Sequence, residues 1–126
     1  MGRTKYGAVL LITWLLPYCH AQILVKDYLS QKNKYIREAQ KMYVIGVAHG
    51  FSSANADLTG RGLPPLFCVP PKLPLGGDTY IHILDLQIKQ MREWKEWPEI
   101  QQWPVALVLL KALQQTFVCQ SPTPGR

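Results

Sequence analysis

The stretch PVALVLLKALQQTFVC, residues 104–119, decides the fold class of this chain. Its apolar positions recur at steps of three and four, which is the spacing of one face of an α-helix. Those positions are Val105, Val108, Leu109, Ala112, Leu113, Thr116 and Phe117. Leu107 and Leu110 widen the apolar face, so we expect a helix over residues 104–118 to lie at the centre of the fold. Pro104 suits the first turn of that helix.

At the other end of the chain, residues 1–21 have the pattern of a secretory signal. Arg3 and Lys5 precede an apolar run over residues 8–16, and Cys19 and Ala21 are spaced as small residues before a cleavage site. The alternative is a membrane anchor, but the run is shorter than the roughly 20 residues that a membrane-spanning helix needs. We therefore expect cleavage before Gln22 and an exported mature protein.

Cleavage changes both the charge and the cysteine count. The whole chain has 126 residues, with 14 Lys and Arg against 8 Asp and Glu, or +6, and three cysteines. Loss of Arg3 and Lys5 leaves 12 against 8, or +4, and loss of Cys19 leaves Cys68 and Cys119 as an even pair. In an oxidising compartment we expect that pair to form a disulfide. Zinc would require two further ligands, and the mature chain offers only two isolated histidines, so no metal or other cofactor is predicted.

Two more helices precede the central one. Over about residues 32–53 an apolar face is predicted from Tyr35, Ile36, Ala39, Met42, Tyr43, Val47 and Phe51. Gly46 disfavours a helix by roughly 1 kcal/mol, so we expect a close helix crossing there, whereas Gly50 fits either such a crossing or a frayed helix end. A further helix is predicted from Asp78, as its N-cap, to about Trp94. Its apolar positions are Tyr80, Ile81, Leu84, Ile88, Met91 and Trp94.

The segment between these helices, residues 55–77, is predicted to be a loop because it holds five prolines and four glycines. The apolar residues 66–69 within it are expected to reach the core, with Cys68 as the attachment point. The predicted fold is all-α: one domain over residues 22–119, with a long first helix, a proline-rich loop and a helical hairpin tied by the disulfide. Residues 120–126 are predicted to be a flexible tail.

No pattern of catalytic residues stands out, so the chain is predicted not to be an enzyme. The sequence has no GxSxG, HExxH or glycine-rich phosphate loop, and His49 and His82 have no acidic or nucleophilic neighbour at a triad spacing. Its basic residues are scattered among acidic ones, which argues against nucleic-acid binding. Three tryptophans mark the turn before the last helix. We expect Trp94 and Trp103 in the core and Trp97 exposed, where it would suit a protein contact.

Several of these segments together resemble the Tai domain, the small periplasmic immunity proteins that neutralise amidase effectors of type VI secretion. The similarity lies in residues 66–70 (LFCVP), 75–80 (LGGDTY), the Trp/Pro break, and residues 104–113 followed by TFVC at 116–119. Residues 43–50 (YVIGVAHG) also resemble the first-helix pattern of that family. The resemblance covers about residues 35–119.

The resemblance implies a helical binding protein, commonly a homodimer, that blocks the active-site groove of a peptidoglycan amidase. From placement in exposed segments we predict that the partner surface includes Asp57 and Arg61 of the loop and Trp97 of the turn. Two alternatives remain open. One is a periplasmic acid-stress chaperone, which would expose apolar surface below about pH 3. The other is an interaction protein of an envelope complex.

Overall fold

The computed structural model describes residues 22–120 and folds them into helices. Within that range the helices are α1 Val25–Ser30, α2 Lys34–Gly60, α3 Gly77–Met91, α4 Trp97–Ile100 and α5 Val105–Thr116. The described residues contain no β-strand, and a single isolated bridge joins Leu24 and Pro104. The all-α prediction is confirmed. The predicted secretory signal, residues 1–21, and residues 121–126 of the predicted tail lie outside the described residues.

Helix α5 lies at the centre of the core, as predicted, but Leu107, which was expected to widen its apolar face, is 39% exposed. The helix packs most extensively against α3, and α2 lies against both helices. Its buried residues are Val105, Val108, Leu109, Ala112 and Leu113. The helix is shorter than predicted at both ends because Pro104 is its N-cap and Phe117 its C-cap.

The segment before α2 is held to the segment before α5. The amide of Val25 donates to the carbonyl of Trp103 at 3.0 Å, and the amide of Val105 donates to the carbonyl of Ile23 at 2.8 Å. Short helices α1 and α4 were not predicted, because single turns leave too few periodic positions to detect. None of the helices in residues 22–120 is long and apolar enough to span a membrane.

Helix α2 begins close to the predicted position and ends seven residues later than predicted. Asn33 caps its start, where the side-chain oxygen accepts from the amide of Tyr35 at 2.9 Å. The sequence predicts that the helix ends at about residue 53. Instead, the hydroxyl of Ser52 donates to the carbonyl of Ala48 within the helix, and Asn55 bonds the following loop from its helical position. The helix ends at Gly60, and Gly62 with φ of 70° reverses the chain.

The predicted apolar face of α2 is only partly correct. The residues that α2 buries are Gln40, Val44 and Ala48, while Tyr43, Val47 and Phe51 are half-buried at the edge of the core. Tyr35 is 85% exposed and Met42 67% exposed, and Ile36 is also exposed. The helix carries apolar residues on more than one side, and packing against α3 and α5 selects the side that includes Val44.

The predicted close crossing at Gly46 is wrong. A Cβ atom at Gly46 would have nothing within 4 Å, whereas a Cβ atom at Gly77 would lie 2.7 Å from Cδ1 of Ile45. The near approach between α2 and α3 is therefore at the start of α3. Asp78 is not the N-cap of α3 either, since Gly76 holds that position. Asp78 lies in the first turn, where a carboxylate still complements the helix dipole.

The proline-rich loop is attached to the core by its apolar centre, as predicted. Phe67 is 2% exposed, and the neighbouring Cys68 forms a disulfide with Cys119. The amide of Cys68 also donates to the carbonyl of Phe117 at 2.8 Å. The disulfide thus closes the hairpin of α3 and α5, which confirms that prediction. Such a disulfide is consistent with an oxidising, extracytoplasmic compartment.

Candidate partner-binding surfaces

Asp57 and Arg61 lie at the end of α2 and not in a loop, because the helix continues past its predicted end. Arg61 Nη1 and Asp57 Oδ2 are 3.4 Å apart, and both side chains are about two-thirds exposed. An exposed pair one helical turn apart contributes little to stability. The two predicted residues are therefore held next to each other, with their charges largely balanced.

Among the three tryptophans of residues 22–120, the exposed residue is Trp94 and not Trp97. Trp94 is 43% exposed, whereas Trp97 is half-buried against the core beneath Arg92, whose guanidinium carbon lies 5.8 Å from the ring centroid. Trp97 begins α4, and its ring packs against the core where the hairpin turns. The prediction that Trp94 belongs to the core is wrong, while Trp103 is half-buried and packs against the core.

The predicted site residues lie on different parts of the molecule. The hydroxyl oxygen of Tyr80, at the start of α3, is 3.4 Å from the hydroxyl oxygen of Ser52 in α2. The last turns of α2 therefore lie towards the beginning of α3. Trp97 follows the other end of α3, which is about 22 Å long for 15 residues. The structure therefore does not bring Asp57 and Arg61 together with Trp97.

The turn that carries Trp94, residues 92–99, runs from the end of α3 into α4 and is anchored at both ends. Met91 and Ile100, which flank it, are fully buried. Within the turn, the amide of Trp94 donates to the carbonyl of Met91 at 3.1 Å, and the amide of Trp97 donates to the carbonyl of Trp94 at 3.1 Å. We call residues 92–99 the tryptophan turn. It presents one large aromatic side chain, surrounded by charged residues, on a fixed backbone.

A small cleft of about 180 Å³ lies between α1, α2 and α3. It is lined by Tyr28, Leu29, Arg37, Gln40, Lys41, Ile81 and Asp85. The Tyr28 hydroxyl donates to Asp85 Oδ1 at 3.0 Å, and burial together with the Asp85 carboxylate raises the pKa of Tyr28 well above its ordinary value. Gln40 Nε2 donates to the carbonyl of Asp27 at 3.3 Å, while the buried Oε1 has no partner among the described residues.

A wider groove of about 520 Å³ runs between α3 and the last turn of α5. Its lining mixes polar and apolar side chains and carries no acidic or Lys/Arg side chain: His82, Ile83, Leu86, Gln87, Gln90, Gln115 and Thr116. Gln87 is buried, and its Nε2 has no hydrogen-bond partner in the described part of the chain. The sequence indicates the burial of Gln87, because this polar residue lies at helical spacing among the apolar positions of α3.

The outward side of α2 is the largest feature that the sequence analysis missed. Between residues 42 and 56 the chain has no Asp, Glu, Lys or Arg, although this helix faces solvent along its length. The exposed positions at helical spacing are Tyr35, Ala39, Met42, Gly46, Gly50 and Ser53. We call these six residues the outward face of α2. Surface helices of globular proteins ordinarily carry charged residues on such a side.

Within residues 22–120 no group of three or more His, Cys, Asp or Glu side chains is arranged to hold a metal ion. His49, an isolated histidine in the sequence, packs edge-on against Tyr80 with ring centroids 6.2 Å apart. Searches with the whole chain match no family model, no curated protein and no solved structure.

Proposed function

We propose that this chain is a periplasmic, immunity-type binding protein that inhibits a peptidoglycan amidase effector of type VI secretion by covering its active site. The proposal joins the resemblance of residues 35–119 to the Tai domain with two observations on the described residues. The first is the all-α fold closed by Cys68 and Cys119. The second is an exposed aromatic residue on a rigid turn.

The observation that carries the proposal is the exposure of Trp94 on the tryptophan turn. Tryptophan is enriched among the residues that dominate protein interfaces, because it buries a large area while losing little conformational entropy. The turn is already fixed by Met91 and Ile100, so binding would not have to order it. Arg92, Glu93, Lys95 and Glu96 surround Trp94 with both signs of charge and would form the polar rim of such a contact.

Inhibition by this surface requires no chemistry from the chain itself. An enzyme that cuts peptidoglycan holds an extended polymer in an open groove, and a projecting aromatic side chain on a rigid hairpin can fill such a groove. The hairpin of α3 and α5 keeps the turn in place, because the disulfide and the buried faces of both helices connect its two arms. The predicted Trp97 acts indirectly in this arrangement, by supporting the turn under Arg92.

A panel of type VI amidase effectors tests the proposal. Each amidase is directed to the periplasm of a bacterial host together with this chain, and lysis is followed by optical density. We expect protection against at least one amidase. For that amidase, the purified chain should inhibit release of peptides from isolated peptidoglycan at a stoichiometric ratio. Protection against none of the amidases would contradict the proposal.

Substitutions in the turn identify the surface. We expect Trp94→Ala to weaken binding to the protected amidase by about tenfold or more. Leu73→Ala is the matched control, since Leu73 is similarly exposed but precedes the start of α3, at the opposite end of that helix from the turn. Inhibition that survives Trp94→Ala unchanged would remove the tryptophan turn from the partner surface.

A further inference from the structure

We infer that the cleft between α1, α2 and α3 is a binding site for a small, free α-amino acid with an apolar side chain. Charged side chains of both signs, and a buried amide oxygen without a partner in residues 22–120, converge on this cleft of about 180 Å³. The site is separate from the tryptophan turn, and the inference does not rest on the proposed inhibition of an amidase.

Helical spacing explains why these side chains line one cleft. Helix α2 contributes Arg37, Gln40 and Lys41, which are three and four residues apart and therefore lie on one side of the helix. Helix α3 contributes Ile81 and Asp85, which are one turn apart. The short helix α1 closes the third side. The polar groups are thus carried by three helices that the core holds in place, and not by a loop.

Two acceptors of the cleft suit an ammonium group. The hydroxyl of Tyr28 donates to Asp85 Oδ1 at 3.0 Å and so orients that side chain, and an ionised carboxylate has the capacity to accept further hydrogen bonds. Gln40 is 6% exposed, and its Oε1 has no partner among the described residues. A buried acceptor without a partner is costly, so a ligand that donates to it gains free energy on binding. An ammonium group has three donors and can serve both acceptors.

Two cations of the cleft suit a carboxylate. Arg37 Nη2 donates to the carbonyl of Gln31 at 2.9 Å, which uses only one of the five donors of the guanidinium group. Lys41 Nζ lies 3.0 Å from Glu38 Oε1, in an exposed pair of a kind that contributes little to stability. Both side chains therefore retain donors for the charge-assisted hydrogen bonds that a carboxylate accepts.

Charge and size together select a small zwitterion. A purely anionic ligand would be repelled by Asp85, and a purely cationic ligand would be repelled by Arg37 and Lys41. An α-amino acid carries its ammonium and carboxylate groups on one carbon atom and so satisfies both signs of charge. The cleft has the volume of about six water molecules, which suits a small amino acid and is too little for tryptophan. Leu29 and Ile81 provide an apolar wall for its side chain.

Calorimetric titration of the purified native protein, after extensive dialysis, tests the inference. The probes are alanine, valine and leucine, each as both enantiomers, with aspartate and tryptophan for comparison. We expect a dissociation constant between about 1 μM and 1 mM for at least one of the three apolar amino acids, and binding at least about tenfold weaker for aspartate and tryptophan. No binding of alanine, valine or leucine at concentrations up to about 10 mM would overturn the inference.

Analogues that lack one charge test whether the ligand is recognised as a zwitterion. Isovalerate is valine without its amino group, and isobutylamine is valine without its carboxyl group. Each should bind at least about tenfold more weakly than valine, because each leaves the groups of one sign in the cleft without a partner. Isovalerate that binds as tightly as valine would show a simple anion site and would overturn the assignment.

Two variants identify the cleft as the place of binding. Asp85→Asn removes the negative charge but keeps an oxygen for Tyr28, and Arg37→Gln removes a positive charge at an exposed position. We expect each to weaken valine binding at least about tenfold with little change in melting temperature. Asp78→Asn on α3 and Arg61→Gln at the end of α2 are the matched controls outside the cleft, and both should bind valine as the native protein does. Native affinity in both Asp85→Asn and Arg37→Gln would overturn the inference.

Discussion

The Cδ1 atom of Ile45 fills the space in which a side chain at Gly77 would begin, 2.7 Å from the position of its Cβ. Through this contact the middle of α2 meets the first residue of α3 directly after the proline-rich loop. Gly46, the immediate neighbour of Ile45, has no such contact. The close packing of the two helices therefore requires glycine at position 77 and does not require it at position 46.

Alanine at the two glycines should have opposite effects on stability. We expect Gly46→Ala to raise the free energy of unfolding by up to about 1 kcal/mol, since it improves helix propensity in free space. Gly77→Ala should lower it by about 1 kcal/mol, because Ile45 must move to make room. Urea denaturation at low protein concentration measures both. A stabilising Gly77→Ala would show that Ile45 yields without cost.

The disulfide should supply a large part of the stability of this small domain. Closing a loop of 51 residues in the unfolded chain is worth about 4 kcal/mol on the loop-entropy model. We expect the Cys68→Ala/Cys119→Ala double variant to melt about 15 °C or more below the native protein. Melting of native protein with and without a reducing agent provides the comparison. Equal melting temperatures would show that the loop is held by its other contacts.

Asn55 should contribute more to the stability of the fold than its position near the end of α2 suggests. Its Oδ1 accepts from the amide of Leu66 at 2.6 Å, and its Nδ2 donates to the carbonyl of Phe67 at 2.8 Å. Asn55→Ala leaves both backbone groups of the loop without these partners, so we expect a loss of about 2 kcal/mol in urea denaturation. Ser53→Ala, at an exposed position of the same helix, should change stability by less than about 0.5 kcal/mol.

The Tyr28–Asp85 hydrogen bond predicts a dependence of stability on alkaline pH. Burial, followed by the Asp85 carboxylate, raises the pKa of the Tyr28 hydroxyl in the folded state. Tyrosine in the unfolded chain titrates at about pH 10. The stability that the buried, protonated Tyr28 hydroxyl contributes is therefore complete below that pH, and it is lost as the pH rises towards the folded-state pKa. We expect the free energy of unfolding to fall above about pH 10, and to fall less steeply in Tyr28→Phe. Tyr35→Phe, at a solvent-exposed tyrosine, should keep the native slope.

Much of the candidate site could not be predicted because helix boundaries and exposure depend on distant contacts. Residues 52–55 have the composition of a helix exit, yet Asn55 remains helical while it bonds the loop. That difference moves Asp57 from a loop to a helix. Likewise, the sequence predicts Trp94 in the core and Trp97 exposed, whereas the hairpin geometry places Trp97 against the core and Trp94 in solvent.

By itself the sequence determined the helical class, the central place of α5, the proline-rich loop and the pairing of Cys68 with Cys119. These features follow from periodicity, from the limits that proline sets on the backbone, and from an even cysteine count, all of which can be read along the chain. Only the tertiary structure decided which side of α2 is buried. Helix α2 carries apolar residues on two sides, so its own sequence does not decide which side is buried. The positions of α3 and α5 in the folded chain decide it.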